Sequence, residues 1–286
     1  MPTPVRHASG RTASTAEPYP PTATGRRIAS PTCTWQPVPG LAGGETFLVR
    51  GGRTRGRRPV VVYHHGWAGT ARLLRDDARC DRQREVIEGL ARAGYLVVVG
   101  DLGGSLWGNR RNHRLITEAV DVGQQEGGTP GPVGLVGTSM GAAAVLSYAV
   151  RRRGHVGAVV GLLPAVDLKT LRWVGQGSLD RAYGGRYRDG QDGPRHNPVV
   201  IAREPQPGKR DRAGRTGGYS GLPVQLWYGD ADTVTTPDTV RTFVTRTRAR
   251  QDARVDLRRL RGGHDEETIA RMRPRLMVQH LDRHPR

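Results

Sequence analysis

Short apolar runs alternate with amphipathic segments along most of the 286-residue chain. The apolar runs are typical of strands buried on both faces of a sheet and cover residues 59–63, 95–99, 133–136, 156–163 and 223–228. Other segments carry apolar residues at helical spacing and cover residues 81–93, 115–122, 142–149, 237–249 and 265–281. This alternation predicts an α/β fold with a doubly wound, mostly parallel sheet and helices on both of its faces.

Polar side chains stand where the predicted strands end, at His65, Asp101, Ser139, Asp232 and His264. The carboxyl ends of parallel strands meet at one edge of a sheet, and ligands commonly bind there. Residues 254–260, which precede His264, alternate like a strand at an exposed edge, and residues 45–50 are expected to form another edge strand. We expect residues 34–44 to be irregular.

Composition divides the chain into three parts. Residues 1–30 are polar and rich in Pro, Ser and Thr, which predicts a disordered N-terminal arm. Residues 31–286 are expected to form one domain. Within it, residues 165–221 are rich in Gly, Arg and Asp and interrupt the βα alternation, so we interpret them as an insertion that is partly helical and partly loop.

The formal net charge is +19, a value often found in nucleic-acid-binding proteins. However, only Lys169 and Lys209 are lysines, so 43 of the 45 basic residues are arginines, and these are scattered along the chain. This bias is what a GC-rich coding sequence would produce. No zinc-ligand spacing or interleaving of basic and aromatic residues accompanies it, so specific nucleic-acid binding is not expected.

Several classes of protein are not indicated by the sequence. No apolar run reaches the length of a membrane span, and the N-terminus lacks the apolar core of a signal peptide, so a cytoplasmic location is expected. Cys33 and Cys80 form no CxxC pair, and two free thiols are the simpler interpretation. Residues 100–104 lack the GxGxxG spacing of a dinucleotide site, and no metal-ligand cluster is visible, so no cofactor or metal is predicted.

The segment Gly137-Thr138-Ser139-Met140-Gly141 lies between an apolar run and a small-residue helical pattern. It fits G-x-S-x-G, a sharp strand-to-helix turn that exposes a serine hydroxyl above the sheet. Glycines suit both flanks because a Cβ there would clash with the neighbouring strand or helix. In a chain with 40 glycines the pattern alone is weak, and a glycine-rich turn is the alternative.

Together with HHGW at 64–67, GDAD at 229–232 and His264 after two glycines, this segment resembles the α/β-hydrolase superfamily in residue type and order. The resemblance covers roughly residues 45–283. GTSMG and the following GLLPAVDL are also similar to small serine esterases and lipases of actinobacteria and their phages.

The resemblance implies a nucleophile, a base and an acid, which would be Ser139, His264 and Asp232. Asp232 is preferred to Asp230 because the superfamily places the acid three residues after the glycine that ends the strand, here Gly229. Asp230 is then interpreted as a turn or capping residue. The backbone N–H groups of Met140 and Trp67 would form the oxyanion hole. His64 and His65 are expected to support the loop, and Asp101 to stabilise a turn.

The resemblance also implies that residues 165–221 form a cap over the site. For the substrate, it implies that Gly66 lets the backbone approach the reacting group, while Leu162 and Leu163 line an apolar wall beneath the cap. The expected function is hydrolysis of carboxylic esters, from small or lipid-like substrates, through an acyl-serine intermediate. Acyl transfer and peptide cleavage use the same residues and remain open. Two alternatives belong to other classes of protein. One is a hydrolase fold used only for binding, and the other is a nucleic-acid-binding protein.

Overall fold

The computed structural model describes residues 33–39, 41–52, 56–175, 177–203, 218–251 and 253–283. The predicted N-terminal arm, residues 1–30, lies outside these residues. Within them, eight strands form one sheet. The strands are β1 Cys33–Pro37, β2 Thr46–Gly51, β3 Val60–His64, β4 Leu96–Gly100, β5 Val133–Thr138, β6 Val156–Leu162, β7 Pro223–Gly229 and β8 Arg254–Leu260.

The strand order in the sheet is β1-β2-β4-β3-β5-β6-β7-β8. Strands β4, β3, β5, β6, β7 and β8 run parallel, while β1 and β2 add an antiparallel edge. The register aligns the strand ends, because His64 pairs with both Gly100 and Gly137, and Thr138 pairs with Leu162. The loops that follow β3, β4, β5 and β6 therefore leave the sheet at the same edge.

Ten helices accompany the sheet in the described residues. They are α1 Ala71–Asp76, α2 Asp81–Arg92, α3 Arg110–Gln125, α4 Met140–Arg151, α5 Ser178–Ala182, α6 Asp189–His196, α7 Pro198–Ile201, α8 Pro237–Gln251, α9 Glu266–Ala270 and α10 Pro274–Asp282. Alternate residues of the buried strands face opposite sides, so the sheet supports two cores. Val60 and Val62 belong to a core that includes side chains of α3, α4 and α8, whereas Val61 and Tyr63 belong to a core that includes side chains of α2 and α10. This is the mostly parallel, doubly wound α/β architecture that the sequence predicts.

Residues 165–221 contain the short helices α5, α6 and α7 in their described part. A third apolar cluster joins this segment to the sheet edge, with Leu168, Leu171, Leu179 and Tyr187 packed around Trp107 and Met140. Residues 176 and 204–217 lie outside the described part. The segment therefore covers the helix that follows β5, and its role as a cap remains a prediction.

Three local predictions were wrong. Residues 34–44, expected to be irregular, contain most of β1, which pairs with β2 along its whole length. Strand β2, expected at an edge of the sheet, therefore lies between β1 and β4. The predicted final helix is divided into α9 and α10, because Pro274 has no N–H to donate and restricts Arg273 to extended backbone at φ −114° and ψ 100°. In the described part of the chain, no helix has the length and apolar character needed to cross a membrane.

Candidate functional site

Ser139 lies in the sharp turn between β5 and α4. Its backbone has φ 52° and ψ −115°, a conformation that residues other than glycine rarely adopt. The surrounding chain fixes this turn, since Ser139 N–H donates to the Leu162 carbonyl at 2.8 Å and the Ser139 carbonyl accepts from Ala142 and Ala165. The side chain is only half-buried at the start of a helix whose first ten residues are otherwise buried. The turn therefore presents a hydroxyl at the sheet edge.

The two glycines beside Ser139 are required by close contacts. A Cβ on Gly141 would lie 2.5 Å from the His65 carbonyl oxygen and closer still to that of His64. A Cβ on Gly137 would lie 2.6 Å from the backbone nitrogen of Ala142. Glycine at both positions lets α4 start directly against β5 and lets the loop after β3 lie on top of the turn.

The loops after β7 and β8 hold each other together. The N–H groups of Asp230 and Ala231 donate to the carbonyls of Leu260 and Gly262, each at 2.9 Å. The Asp230 carboxylate accepts in return from Gly262 N–H at 3.1 Å and from the Arg259 guanidinium at 3.0 Å. Asp230 thus stabilises the loops, and its neighbour Asp232 is left to point toward His264.

Asp232, His264 and Ser139 form a continuous hydrogen-bonded row. His264 Nδ1 lies 2.8 Å from Asp232 Oδ2, and His264 Nε2 lies 2.9 Å from Ser139 Oγ. An ionised carboxylate only accepts hydrogen bonds, so Nδ1 carries the proton in the neutral ring and Nε2 accepts from the serine hydroxyl. The structure thus brings together three residues that are separated by up to 125 positions in the sequence.

Asp232 is kept ionised by its surroundings. Burial by itself would raise the pKa of this carboxyl, whose side chain has no solvent exposure. The hydrogen bond to His264 and the electrostatic attraction of that ring lower it. The Thr235 hydroxyl at 2.7 Å and the Thr235 N–H at 2.8 Å add to this effect, and the net result is a pKa below the ordinary value.

Thr235 is a residue of the site that the sequence analysis missed. Its hydroxyl lies 3.3 Å from both His264 Nδ1 and the Leu163 carbonyl, so it ties the acid and the imidazole to the end of β6. The spacing offers a signal for it, because an aspartate commonly accepts from the backbone and hydroxyl of residues two or three positions later.

The loop after β3 passes beside Ser139. A Cβ on Gly66 would lie 3.5 Å from the Ser139 Cβ, so the main chain at Gly66 passes close to the serine side chain. In the described part of the chain, no acceptor is bonded to the Trp67 N–H. The Met140 N–H belongs to the first turn of α4 and has no partner within the helix. Two backbone N–H groups without a bonded acceptor thus belong to the loop that passes Ser139 and to the residue that follows it.

Two buried histidines hold this loop. The ring nitrogens of His65 lie 2.7 Å from the Gly66 carbonyl and 2.9 Å from the Asp101 carbonyl, which joins the loops after β3 and β4. His64 lies between the His65 carbonyl at 3.0 Å and Asn112. Burial and the neighbouring His65 lower the pKa of His64 to about 3, so this ring is neutral. Both rings thus bond to groups other than Ser139.

Asp101 also acts on the loops. Its carboxylate accepts the N–H of Glu45 at 2.9 Å and that of Ala71 at 2.6 Å. These bonds join the segment before β2 to the start of α1, which agrees with its interpretation as a turn-stabilising residue.

The predicted apolar wall differs from the structure. Leu162 and Leu163 are 0% and 1% exposed and belong to the core on the α2 side of the sheet. Strand β6 is covered on both faces, which is why its last residues are buried and give no open surface to a ligand. The half-buried Trp67 ring instead packs on the cap segment, where a Cβ on Gly175 would lie 2.5 Å from its Nε1.

Comparison with known proteins identifies the fold. A family model described as the alpha/beta hydrolase fold matches residues 59–186, a stretch that contains Ser139 but ends before Asp232 and His264. No curated protein sequence matches the chain significantly. Together with the sheet described above, this match establishes that the protein has the α/β-hydrolase fold.

Several solved structures have the same fold as this chain. A bacterial brefeldin A esterase, described as a homologue of human hormone-sensitive lipase, superposes with a TM-score of 0.58 at 18% identity, over 91% of this chain and 78% of that one. The fluorophosphonate-binding serine hydrolase FphF of Staphylococcus aureus gives a TM-score of 0.65 at 12% identity, over 87% and 98% of the two chains. A putative dipeptidyl aminopeptidase IV of Bacteroides ovatus gives 0.63 at 12% identity, but this chain spans only 36% of it. Esterases and peptidases thus share this fold.

Proposed function

We propose that the protein is a serine hydrolase that cleaves carboxylic esters, within the group of small esterases and lipases that its GTSMG and GLLPAVDL segments resemble. The observation that carries this proposal is the hydrogen-bonded row Asp232–His264–Ser139, which ends on a half-buried serine in a strained turn. Retaining all three groups in hydrogen-bond contact serves catalysis, whereas a scaffold used only for binding has no need of them.

In the proposed reaction, Ser139 Oγ attacks the ester carbonyl carbon while its proton passes to His264 Nε2. The carbonyl oxygen becomes an oxyanion held by the N–H groups of Trp67 and Met140. Asp232 stabilises the imidazolium. The carbon–oxygen bond to the alcohol then breaks as His264 returns the proton to the leaving oxygen, which leaves an acyl-Ser139 and a free alcohol.

The second half of the cycle regenerates the enzyme. His264 takes a proton from water as the water oxygen attacks the acyl carbon, and a second oxyanion forms in the same place. When this intermediate collapses, the proton passes to Ser139 Oγ and the carboxylic acid is released. An alcohol in place of water would give acyl transfer, and an amide in place of the ester would give peptide cleavage.

Hydrolysis of p-nitrophenyl esters from acetate to palmitate tests the proposal, with labelling by a fluorophosphonate probe as an independent measure of the nucleophile. We expect turnover and labelling by the natural protein and neither by Ser139→Ala. A matched control is Ser147→Ala, which removes a buried hydroxyl from the same helix and should keep both.

The other outcomes separate the alternatives. Labelling at Ser139 without hydrolysis of any ester would indicate a different acyl substrate, to be sought with peptide amides and with added alcohols as acceptors. A folded protein that shows neither labelling nor turnover would contradict the proposal and favour a hydrolase fold used for binding.

A further inference from the structure

Four arginines that are far apart in the sequence lie where helix α6 meets α3 and α4. The contact itself is made by buried residues of the three helices: His113 of α3 bonds to Ser147 of α4 at 3.0 Å, and its ring centroid lies 5.4 Å from that of His196 of α6. An arginine stands beside each of these residues along its own helix. They are Arg110, one turn before His113, Arg151, one turn after Ser147 and followed by Arg152, and Arg195, directly before His196. We call these four residues the arginine cluster.

The charges of the arginine cluster act on one another. Partial burial lowers the pKa of the Arg151 guanidinium, and the charges of the other three members lower it further. The charges of Arg151 and Arg152 also reach the buried His113 ring, and those of Arg151 and Arg195 reach the His196 ring. All four arginines are exposed to solvent. Like charges therefore converge on one place at the surface.

The arginine cluster lacks partners of opposite charge. Within the described ranges of the chain, none of its four guanidinium groups takes part in an ion pair or a hydrogen bond. Arginines of α1 and α2 differ, since four of them contact carboxylates: Arg72, Arg75, Arg82 and Arg92. The carboxylate of Asp192, whose charge also reaches His196, accepts the Arg188 N–H at 2.8 Å. An unbalanced positive charge is thus left at this surface.

Helix dipoles explain only part of this arrangement. Arg151 and Arg195 lie in the last turns of α4 and α6, where a cation is stabilised by the carbonyl groups at the helix end. Arg110 is the first residue of α3, where the same effect is unfavourable for a cation and favourable for an anion. The dipoles therefore do not account for the cluster as a whole.

We propose that the arginine cluster binds a phosphate group. A guanidinium group is planar and permanently charged, and its N–H groups form a fork that matches two oxygens of a phosphate. Guanidinium groups from three helices would surround such an anion and offset their mutual repulsion. Soluble phosphorylated molecules and phospholipid headgroups both carry this group, and binding from solution or to a vesicle separates these two sources.

A phosphate bound here would join residues 165–221 to the helix that follows Ser139. Arg195 belongs to α6 of that segment, whereas Arg151 is the last residue of α4, which begins directly after Ser139. Repulsion between the two charges opposes the contact of α6 with α4, and an anion between them removes this repulsion. Binding should therefore stabilise the fold, and it does not depend on the proposed ester hydrolysis.

Isothermal titration calorimetry with inorganic pyrophosphate at constant ionic strength tests the proposal. We expect saturable binding, and a rise of the thermal unfolding midpoint that sodium chloride of the same ionic strength does not produce. Arg151→Gln and Arg195→Gln should each weaken binding at least about tenfold, because each removes charge-assisted hydrogen bonds. Arg151→Lys keeps the charge but lacks the fork, so it should also bind more weakly than the natural protein.

The matched control is Arg254→Gln, which removes an exposed arginine from β8 and should leave the affinity unchanged. Equal affinities of the natural protein and the variants of Arg151 and Arg195, or an equal loss in Arg254→Gln, would show only general attraction to a chain with a formal net charge of +19. Either result would overturn the proposal.

Phosphatidylcholine vesicles with and without phosphatidic acid provide the second arm of the test. Pyrophosphate binding without recruitment to the phosphatidic acid vesicles would assign the site to soluble phosphorylated molecules. Recruitment that is lost in Arg151→Gln and Arg195→Gln but kept in Arg254→Gln would assign it to phospholipid headgroups. If the natural protein binds neither pyrophosphate nor these vesicles, the arginine cluster is not a phosphate site.

Discussion

Glu266 and Gln83, which are 183 positions apart in the sequence, are joined at the start of α2. Gln83 Nε2 donates to Glu266 Oε1 at 2.6 Å, and the Gln83 N–H donates to Glu266 Oε2 at 3.2 Å. Gln83 also accepts from the Tyr63 hydroxyl, which lies 2.7 Å from Thr138 Oγ1. A buried chain of hydrogen bonds therefore links the residue before Ser139 to a helix that begins two residues after His264.

Replacing Glu266 by alanine should destabilise the protein. The change removes the acceptor of the buried Gln83 amide and of two backbone N–H groups in the first turn of α2. Each buried polar group left without a partner costs about 1–3 kcal/mol. The measurement is urea unfolding followed by circular dichroism. The neighbouring Glu267 is exposed, so Glu267→Ala is the matched control and should unfold at nearly the natural midpoint. Equal midpoints for the two variants would contradict a structural role for this chain of bonds.

Replacing the two aspartates of the loop after β7 should lower activity to very different extents. Asp232→Asn replaces the carboxylate that orients His264 Nδ1, so the ring can take the wrong tautomer, and we expect kcat for ester hydrolysis to fall by about 10⁴. Asp230→Asn alters only contacts with Gly262 and Arg259 and should change kcat by less than about tenfold. Steady-state kinetics on one ester decide the matter. A larger loss in Asp230→Asn would reassign the acid.

The glycine after Met140 should tolerate no side chain. In Gly141→Ala the new methyl would press on the carbonyl oxygens of His64 and His65, so the loop after β3 has to move away from Ser139. We expect at least about a hundredfold loss of kcat/KM, the order seen when an oxyanion donor is removed, with or without a lower unfolding midpoint. Gly154→Ala is the control, since a Cβ there meets no atom within 4 Å. Natural kinetics in Gly141→Ala would refute the close-contact argument.

Local pattern was enough to predict the central part of this fold. The buried runs that became β3, β4, β5, β6 and β7 are apolar on both faces, a signal that depends on few neighbours. Residues 254–260 alternate as expected for β8, which lies at an edge of the sheet. The polar residues at the ends of the strands were also informative, because parallel strands bring their carboxyl ends to one edge of the sheet.

Features that depend on distant contacts could not be predicted. Strand β1 has mixed exposure and is defined by its pairing with β2 rather than by its own sequence. Helix α6 contains Gly190, Gly193 and Pro194, which disfavour a helix, and it is held by tertiary contacts such as the ring packing of Tyr183 on His196. The link between Gln83 and Glu266 joins residues whose local sequences give no sign of each other.

His113 should make the stability of the fold depend on pH, independently of any catalysis. Its ring is buried between α3 and α4, bonded to Ser147 at 3.0 Å and packed against the His196 ring, and the charges of Arg151 and Arg152 act on it. Burial, followed by the charges of these neighbours, lowers its pKa to about 3. The unfolded chain therefore binds more protons between about pH 6.5 and pH 3, so stability is greatest above this window and is lost as the pH falls through it.

The same effect predicts a difference between two histidine variants. His113→Phe keeps an aromatic ring against Tyr148 but cannot titrate, so the slope of unfolding free energy against pH between 4 and 6 should decrease by up to about 1.4 kcal/mol per pH unit. Urea unfolding at several pH values measures this slope. His155 is exposed, and His155→Phe should keep the natural slope. If both variants show the natural slope, the buried His113 ring does not control the stability of the fold in acid. The pH dependence then comes from other buried groups such as His64, which also has a pKa of about 3.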